Sequence, residues 1–277
     1  MLADAEAMPA TANLWEELCR DLDADRKGLA REKHHVAAKK FKETAAQVFR
    51  SGSMRHCDAL EIAGDVCQAT GYFNDAVADF KEAMGLDEAA GNTAAAARVA
   101  TKLGLLYDHQ GDLVQARASY ARALELFEEL HDHGQHAMLL SNMAGLERRA
   151  GNFKASEAHY LKALEVSVGL HGEIHPEVAL VCNNLGVAYT EKGDWARAEN
   201  LHLRALGIRE QAFGAMHPEV AQSLANLAVL HHSSGNLKKA ERYYEAALKT
   251  YAATLKPGDP EIECVRSNLK NLKAQNT

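Results

Sequence analysis

The stretch GVAYTEKGDWARAENLHLRAL (Gly186–Leu206) decides the fold, because the chain holds a second version of it 42 residues later, AVLHHSSGNLKKAERYYEAAL (Ala228–Leu248). Gly193 and Gly235, Ala198 and Ala240, and Leu206 and Leu248 all keep that spacing. Another 42 residues back lies AGLERRAGNFKASEAHYLKAL (Ala144–Leu164), and steps of 40 reach GLLYDHQGDLVQARASYARAL (Gly104–Leu124) and GDVCQATGYFNDAVADFKEAM (Gly64–Met84). Each version has a turn glycine (Gly71, Gly111, Gly151, Gly193, Gly235) and, five residues on, a small side chain (Ala76, Ala116, Ser156, Ala198, Ala240). Four residues after that stands a ring: Phe80, Tyr120, Tyr160, His202 or Tyr244.

These residue types suit two antiparallel helices joined by a tight turn. The small side chain lets the helices approach, the ring fills the space between hairpins, and glycine takes backbone angles that other residues resist. The spacing is the L-G-x2-Y…A-x3-F pattern of tetratricopeptide repeats. One hairpin cannot bury its apolar face alone, but stacked hairpins can, so the expected fold is an all-α, right-handed tetratricopeptide superhelix (an α-solenoid). The expected division is a helical segment with a degenerate repeat over 1–50, five repeats within 51–260 (about 57–90, 97–130, 137–170, 179–212 and 221–254), and a capping helix over 261–277. Upstream, Asn13–Leu22 and Leu29–Phe49 read as helices and Ser51–Arg55 as the connector.

Composition agrees. Of 277 residues 47% are apolar, 25% charged and only 6% aromatic, and the apolar share is mostly Ala and Leu, which favour helix over strand. A net charge of −7 argues against a general nucleic-acid binder. No apolar run is long enough to span a bilayer, and the acidic start MLADAEAMPATANLW does not read as a signal peptide. Five scattered cysteines (Cys19, Cys57, Cys67, Cys182, Cys264) with no CxxC suit free thiols in a cytoplasmic protein.

Beyond the generic repeat, ALGIREQAFGAMHPEVAQSLANLA (Ala205–Ala228), TLKPGDPEIECVRSNL (Thr254–Leu269) and NNLG (Asn183–Gly186) resemble the kinesin light chain. The resemblance is specific over about Met138–Asn271, and it implies a cargo-binding superhelix whose concave groove takes extended peptides. Residues 1–50 lack the sustained heptads of a coiled coil, so the groove is what the resemblance supports, and not the motor connection. Short chains of this kind are also similar to the bacterial kinesin-light-chain-like proteins that accompany bacterial tubulins, which implies a tubulin-like filament protein as partner.

One register of the repeat carries Asn142, Asn184, Asn226 and Asn268, each 42 residues from the next. Asparagine gains nothing in helix propensity, whereas its amide can grip an extended backbone, the role the resemblance implies for it; bracing between repeats is the alternative. Around this ladder stand Asn183, Val187 and Val229, with a basic element of Arg98, Lys102, Arg148 and Arg149. The expected ligand is a peptide with acidic residues beside an apolar or aromatic anchor. A peptide-sensing regulator using the same groove is the second reading.

Other features point away from chemistry. His131, His133 and His136 in HDHGQH read as an inter-repeat loop and not as a metal site, since apart from Asp132 no Cys or carboxylate stands nearby to complete a shell. No phosphate-binding glycine loop, nucleophile elbow or zinc-helix motif occurs. No catalytic residue, metal or cofactor is therefore assigned. His175–Pro176, His217–Pro218 and Asp259–Pro260 read as N-cap and first-turn pairs. The basic stretch Arg26–Lys42 reads as the wet side of a helix or a contact for an acidic surface.

Overall fold

The computed structural model describes Val36, Lys39 and residues 54–275. Apart from Val36 and Lys39, both helical, the helices expected at Asn13–Leu22 and Leu29–Phe49, the basic stretch and Cys19 lie outside the described residues. Every regular element among the described residues is a helix. The connector expected to reach Arg55 gives way to helix already at Met54.

The chain divides at Asp132 into two compact units. The described part of the first holds α1 (Met54–Thr70), α2 (Phe73–Ala89), α3 (Thr93–Gln110) and α4 (Leu113–Glu129). The second holds α5 (His133–Arg149), α6 (Phe153–His171), α7 (Pro176–Lys192), α8 (Trp195–Phe213), α9 (Pro218–Ser233), α10 (Leu237–Thr254) and α11 (Pro260–Gln275). Within each unit, odd and even helices pair as hairpins and each hairpin packs on the next. The fold class is all-α, of tetratricopeptide hairpins.

Local chemistry explains where the helices start and stop. Asp112 and Asp194 each accept the backbone N–H three residues on, at 3.1 and 3.2 Å, which satisfies a donor that the helix cannot. His175 and His217 do the same through Nδ1 to the N–H of Glu177 and Glu219, both at 3.2 Å, and Asp259 through its carboxylate to that of Glu261 at 3.0 Å. The proline after each sits where its missing N–H costs nothing. At the other end, Gly111 (φ 78°) and Gly193 (φ 80°) close α3 and α7 in the left-handed region. The α4–α5 turn manages this without glycine: His131 stands at φ 54°. α5 begins at His133, so His136 is helical and the expected loop is shorter than read.

The core follows the repeat. Ala76, Ala116, Ser156, Ala198 and Ala240 are completely buried, and the rings of Phe80, Tyr120, Tyr160, His202 and Tyr244 are buried beside them. Enclosing one such ring contributes about 2–3 kcal/mol. In the second unit Ala221, Ala228, Ala240, Tyr244, Ala247, Tyr251, Ile262, Val265 and Leu272 form one cluster, which joins α9, α10 and α11. No helix among the described residues is long and apolar enough to cross a membrane.

Candidate functional site

Stacking the α5–α6 hairpin on α7 opens a cleft of about 390 Å³ in the second unit. From α5 come Met138, Ser141 and Asn142, and from α7 Leu180 and Asn184, residues one turn apart on each helix. The end of α6 supplies Ser167, Leu170 and His171, and the start of α7 His175 and Glu177. Met138, Leu170 and Leu180 are exposed apolar side chains, and the buried Ser141 hydroxyl has no hydrogen-bond partner. His171 stacks on His175 at 4.2 Å between ring centres. The volume suits one side chain or a short length of extended backbone, and the wall offers apolar surface, amides and a hydroxyl.

The four ladder asparagines do not share one environment. Asn142 and Asn184 are half-buried and line the cleft together. Asn226 donates from Nδ2 to Asn183 Oδ1 at 2.8 Å and so bridges α9 to α7. Asn268, on α11, is half-buried with its amide 4.0 Å from Cys264 Sγ. Asn183 is only 4% exposed and turned into the hairpin, where its Oδ1 also accepts from His202 Nδ1–H at 3.2 Å. Val187 is half-buried on α7, and Val229 is exposed on α9.

The basic element is largely matched by neighbouring carboxylates. Arg98 on α3 holds Glu61 on α1 with two hydrogen bonds of 2.8 and 2.7 Å. Lys102 reaches Glu61 at 2.9 Å and Asp65 at 2.5 Å. Burial alone would push the Glu61 carboxyl up, but Arg98 and Lys102 outweigh it and hold it below its usual range. In the second unit Arg148 pairs with Glu191, and Arg149 is exposed near Tyr160 and engaged as well. Pairing Arg98, Lys102 and Arg148 with acids of an adjacent repeat weakens their pull on an outside carboxylate.

His202 takes the place of the usual ring, and its environment has a price in acid. At 1% exposure, burial together with the nearby Arg209 guanidinium pushes its imidazole down to about 4. The unfolded chain therefore binds a proton near pH 6.5 that the folded one refuses. Stability from this site is complete above pH 6.5 and is lost as pH falls toward 4. Between pH 7 and 4.5 the loss should be about 2–3 kcal/mol. Denaturant unfolding of His202→Phe should show a smaller drop by that amount over the same interval.

The contributions of Leu170, His171 and Ser167 to the cleft were not visible in the sequence reading, since they come from the second helix of a hairpin and reach the cleft only through stacking. A periodic signal did exist: His171 and Phe213 occupy equivalent positions, four residues before His175 and His217. Both pairs stack, the second at 4.5 Å.

Among the described residues no group of three or more His, Cys, Asp or Glu is placed to hold a metal ion. The family model described as tetratricopeptide repeat matches residues 56–129, 135–211 and 180–253. The chain matches no curated protein in sequence. Among solved structures it is similar to BtubC (BKLC) from P. vanneervenii, with a TM-score of 0.70 and 28% identity over 83% of this chain and 95% of that one. It is also similar to a putative kinesin light chain with nearly identical repeats from Podosopora anserina, with a TM-score of 0.63 and 14% identity over 74% of this chain and 99% of that one. A third likeness, a STAND signal-transduction ATPase with a tetratricopeptide repeat sensor from Pyrococcus horikoshii, has a TM-score of 0.68 and 15% identity over 92% of this chain and 38% of that one. The last two likenesses speak for the fold alone. With the family match spanning most of the described chain, and the rings, small residues and turn glycines in their repeat positions, the chain belongs to the tetratricopeptide repeat family.

Proposed function

We propose that this protein is a non-catalytic adaptor that holds an extended segment of a protein partner in the cleft on α5, α6 and α7. The observation that carries the reading is the side-by-side placement of Asn142 and Asn184 with the exposed Met138 and Leu180. Two amides supply donors and acceptors to a peptide backbone irrespective of its sequence, and the apolar wall takes a side chain. An acidic partner residue reaching Arg148 would first have to displace Glu191. Asn226 and Asn268 belong to the same proposal as bracing groups, and Arg98 and Lys102 as a separate candidate contact on the first unit.

The preferred partner is a tubulin-like filament protein, reached through the resemblance to the bacterial kinesin-light-chain-like proteins and supported by the likeness to BtubC. A cytoplasmic location is part of the reading, and the buried free thiols Cys57, Cys67 and Cys182 suit it. The five-repeat division with a capping α11 goes with it.

Co-sedimentation with assembled bacterial tubulin tests the proposal. Asn142→Ala with Asn184→Ala should lower affinity about tenfold, the worth of one or two hydrogen bonds, with helicity unchanged. Arg148→Glu with Arg149→Glu should weaken binding only if acidic groups of the partner take part. Undiminished binding by the double asparagine variant would remove the cleft from the reading.

A further inference from the structure

The edge of the second unit formed by the α6–α7 and α8–α9 loops exposes apolar side chains at equivalent positions of successive repeats. Ile174 is 62% and Met216 51% exposed, and they stand 42 residues apart, each just before a capping histidine. Phe213, 39% exposed, lies against His217 with one face. Isolated apolar side chains on a surface need no explanation, but a repeated set on one edge marks an interaction surface. The charge there is negative. Glu173 and Glu219 are paired with Arg204 and Arg209, whereas exposed Glu177 and Glu210 have no ion pair among the described residues. Of these apolar and acidic side chains only Glu177 borders the α5–α7 cleft.

The same chain carries a segment of opposite character. RKGLAREKHHVAAKKFK (residues 26–42) has seven Lys or Arg against one Glu, with Leu29, Val36 and Phe41 interspersed. Val36 is helical and 64% exposed, and exposed Lys39 lies one turn further on, so an apolar side chain and a cation share one face. Apolar groups flanked by carboxylates on one surface match apolar groups flanked by cations on the other.

We propose that the loop edge carrying Ile174, Phe213 and Met216 binds the Arg26–Lys42 stretch of a second copy of this chain. Glu177 and Glu210 face its cations, and the apolar side chains of the two segments pack together. Reciprocal exchange, in which each copy offers its stretch and receives its partner's, closes a two-fold dimer.

Sedimentation of the full chain provides the test. At about 0.05 M salt the mass should rise with protein concentration toward twice the 30.2 kDa of one chain, and at about 0.5 M it should fall back, because screening removes the charge attraction. Ile174→Glu with Met216→Glu should weaken association at least about tenfold while the circular dichroism is unchanged. Lys39→Glu, Lys40→Glu and Lys42→Glu together should also abolish it. Mixing that triple variant with a Glu177→Lys, Glu210→Lys chain should restore a complex, since the charges then match again. A monomer at every salt concentration overturns the proposal, as does association that ignores the loop substitutions. Loss through the loop edge without loss through the lysines overturns the choice of occupant.

Discussion

Arg209→Ala should lower the unfolding free energy by about 2–5 kcal/mol, the range for truncating a large buried side chain to alanine. Arg209 is 1% exposed, near the end of α8, and it ties that helix to the start of α9. One Nη donates to the Glu219 carbonyl at 3.0 Å and to Ser223 Oγ at 2.9 Å, and the other lies 2.8 Å from the Glu219 carboxylate. Truncation leaves a cavity and strands the completely buried Ser223 hydroxyl. Arg209→Met should cost less, about 1–2 kcal/mol, because it refills the space and leaves only the hydroxyl unsatisfied. Equilibrium denaturation of both variants checks this. Equal losses would show that the polar contacts, and not the volume, hold the two hairpins together.

Gly104→Ala should destabilise by about 3 kcal/mol, toward the upper end for overpacking a core. A Cβ at residue 104 would stand 2.3 Å from Cδ1 and 2.4 Å from Cε1 of Tyr120, whose ring is wholly enclosed. Alanine's better helix propensity recovers only about 1 kcal/mol of that. Gly145→Ala gives the contrast. There the added carbon meets the Tyr160 hydroxyl at 3.5 Å and an Arg149 nitrogen at 3.6 Å, which is ordinary contact. That substitution should be neutral or stabilise by up to about 1 kcal/mol. Thermal unfolding of the two variants should therefore move in opposite directions, and a joint fall would mean that the ring does not set the helix spacing.

Gly104 also shows what was legible beforehand. The turn glycines, the small residue and the ring recur at fixed intervals because every hairpin solves the same packing problem, so the helices could be located from the spacing. The Gly64–Phe80, Gly104–Tyr120 and Gly186–His202 contacts are one such solution made three times. The candidate site was legible only in part. Asn142 and Asn184 were found through their period, and they do meet in one cleft. Asn183 stands next to Asn184 in the sequence, but its amide is buried, where it accepts from both His202, the polar ring of this repeat, and Asn226. Arg209 gave no signal, since Ser167 and Tyr251 occupy its position in the neighbouring repeats. The basic element was visible as charge, but its partners Glu61, Asp65 and Glu191 come from adjacent repeats and needed coordinates.

Within the second unit α8 meets α7 and α9, and α10 meets α9 and α11, with little reach beyond. The hairpin interfaces therefore reuse the same small residues and rings, and a hairpin inserted between α8 and α9 would find acceptable neighbours once it supplied its own partners for Arg209 and Ser223. For such an architecture length is an adjustable quantity: modules can be gained or dropped by duplication without re-solving the interior, much as links are added to a chain.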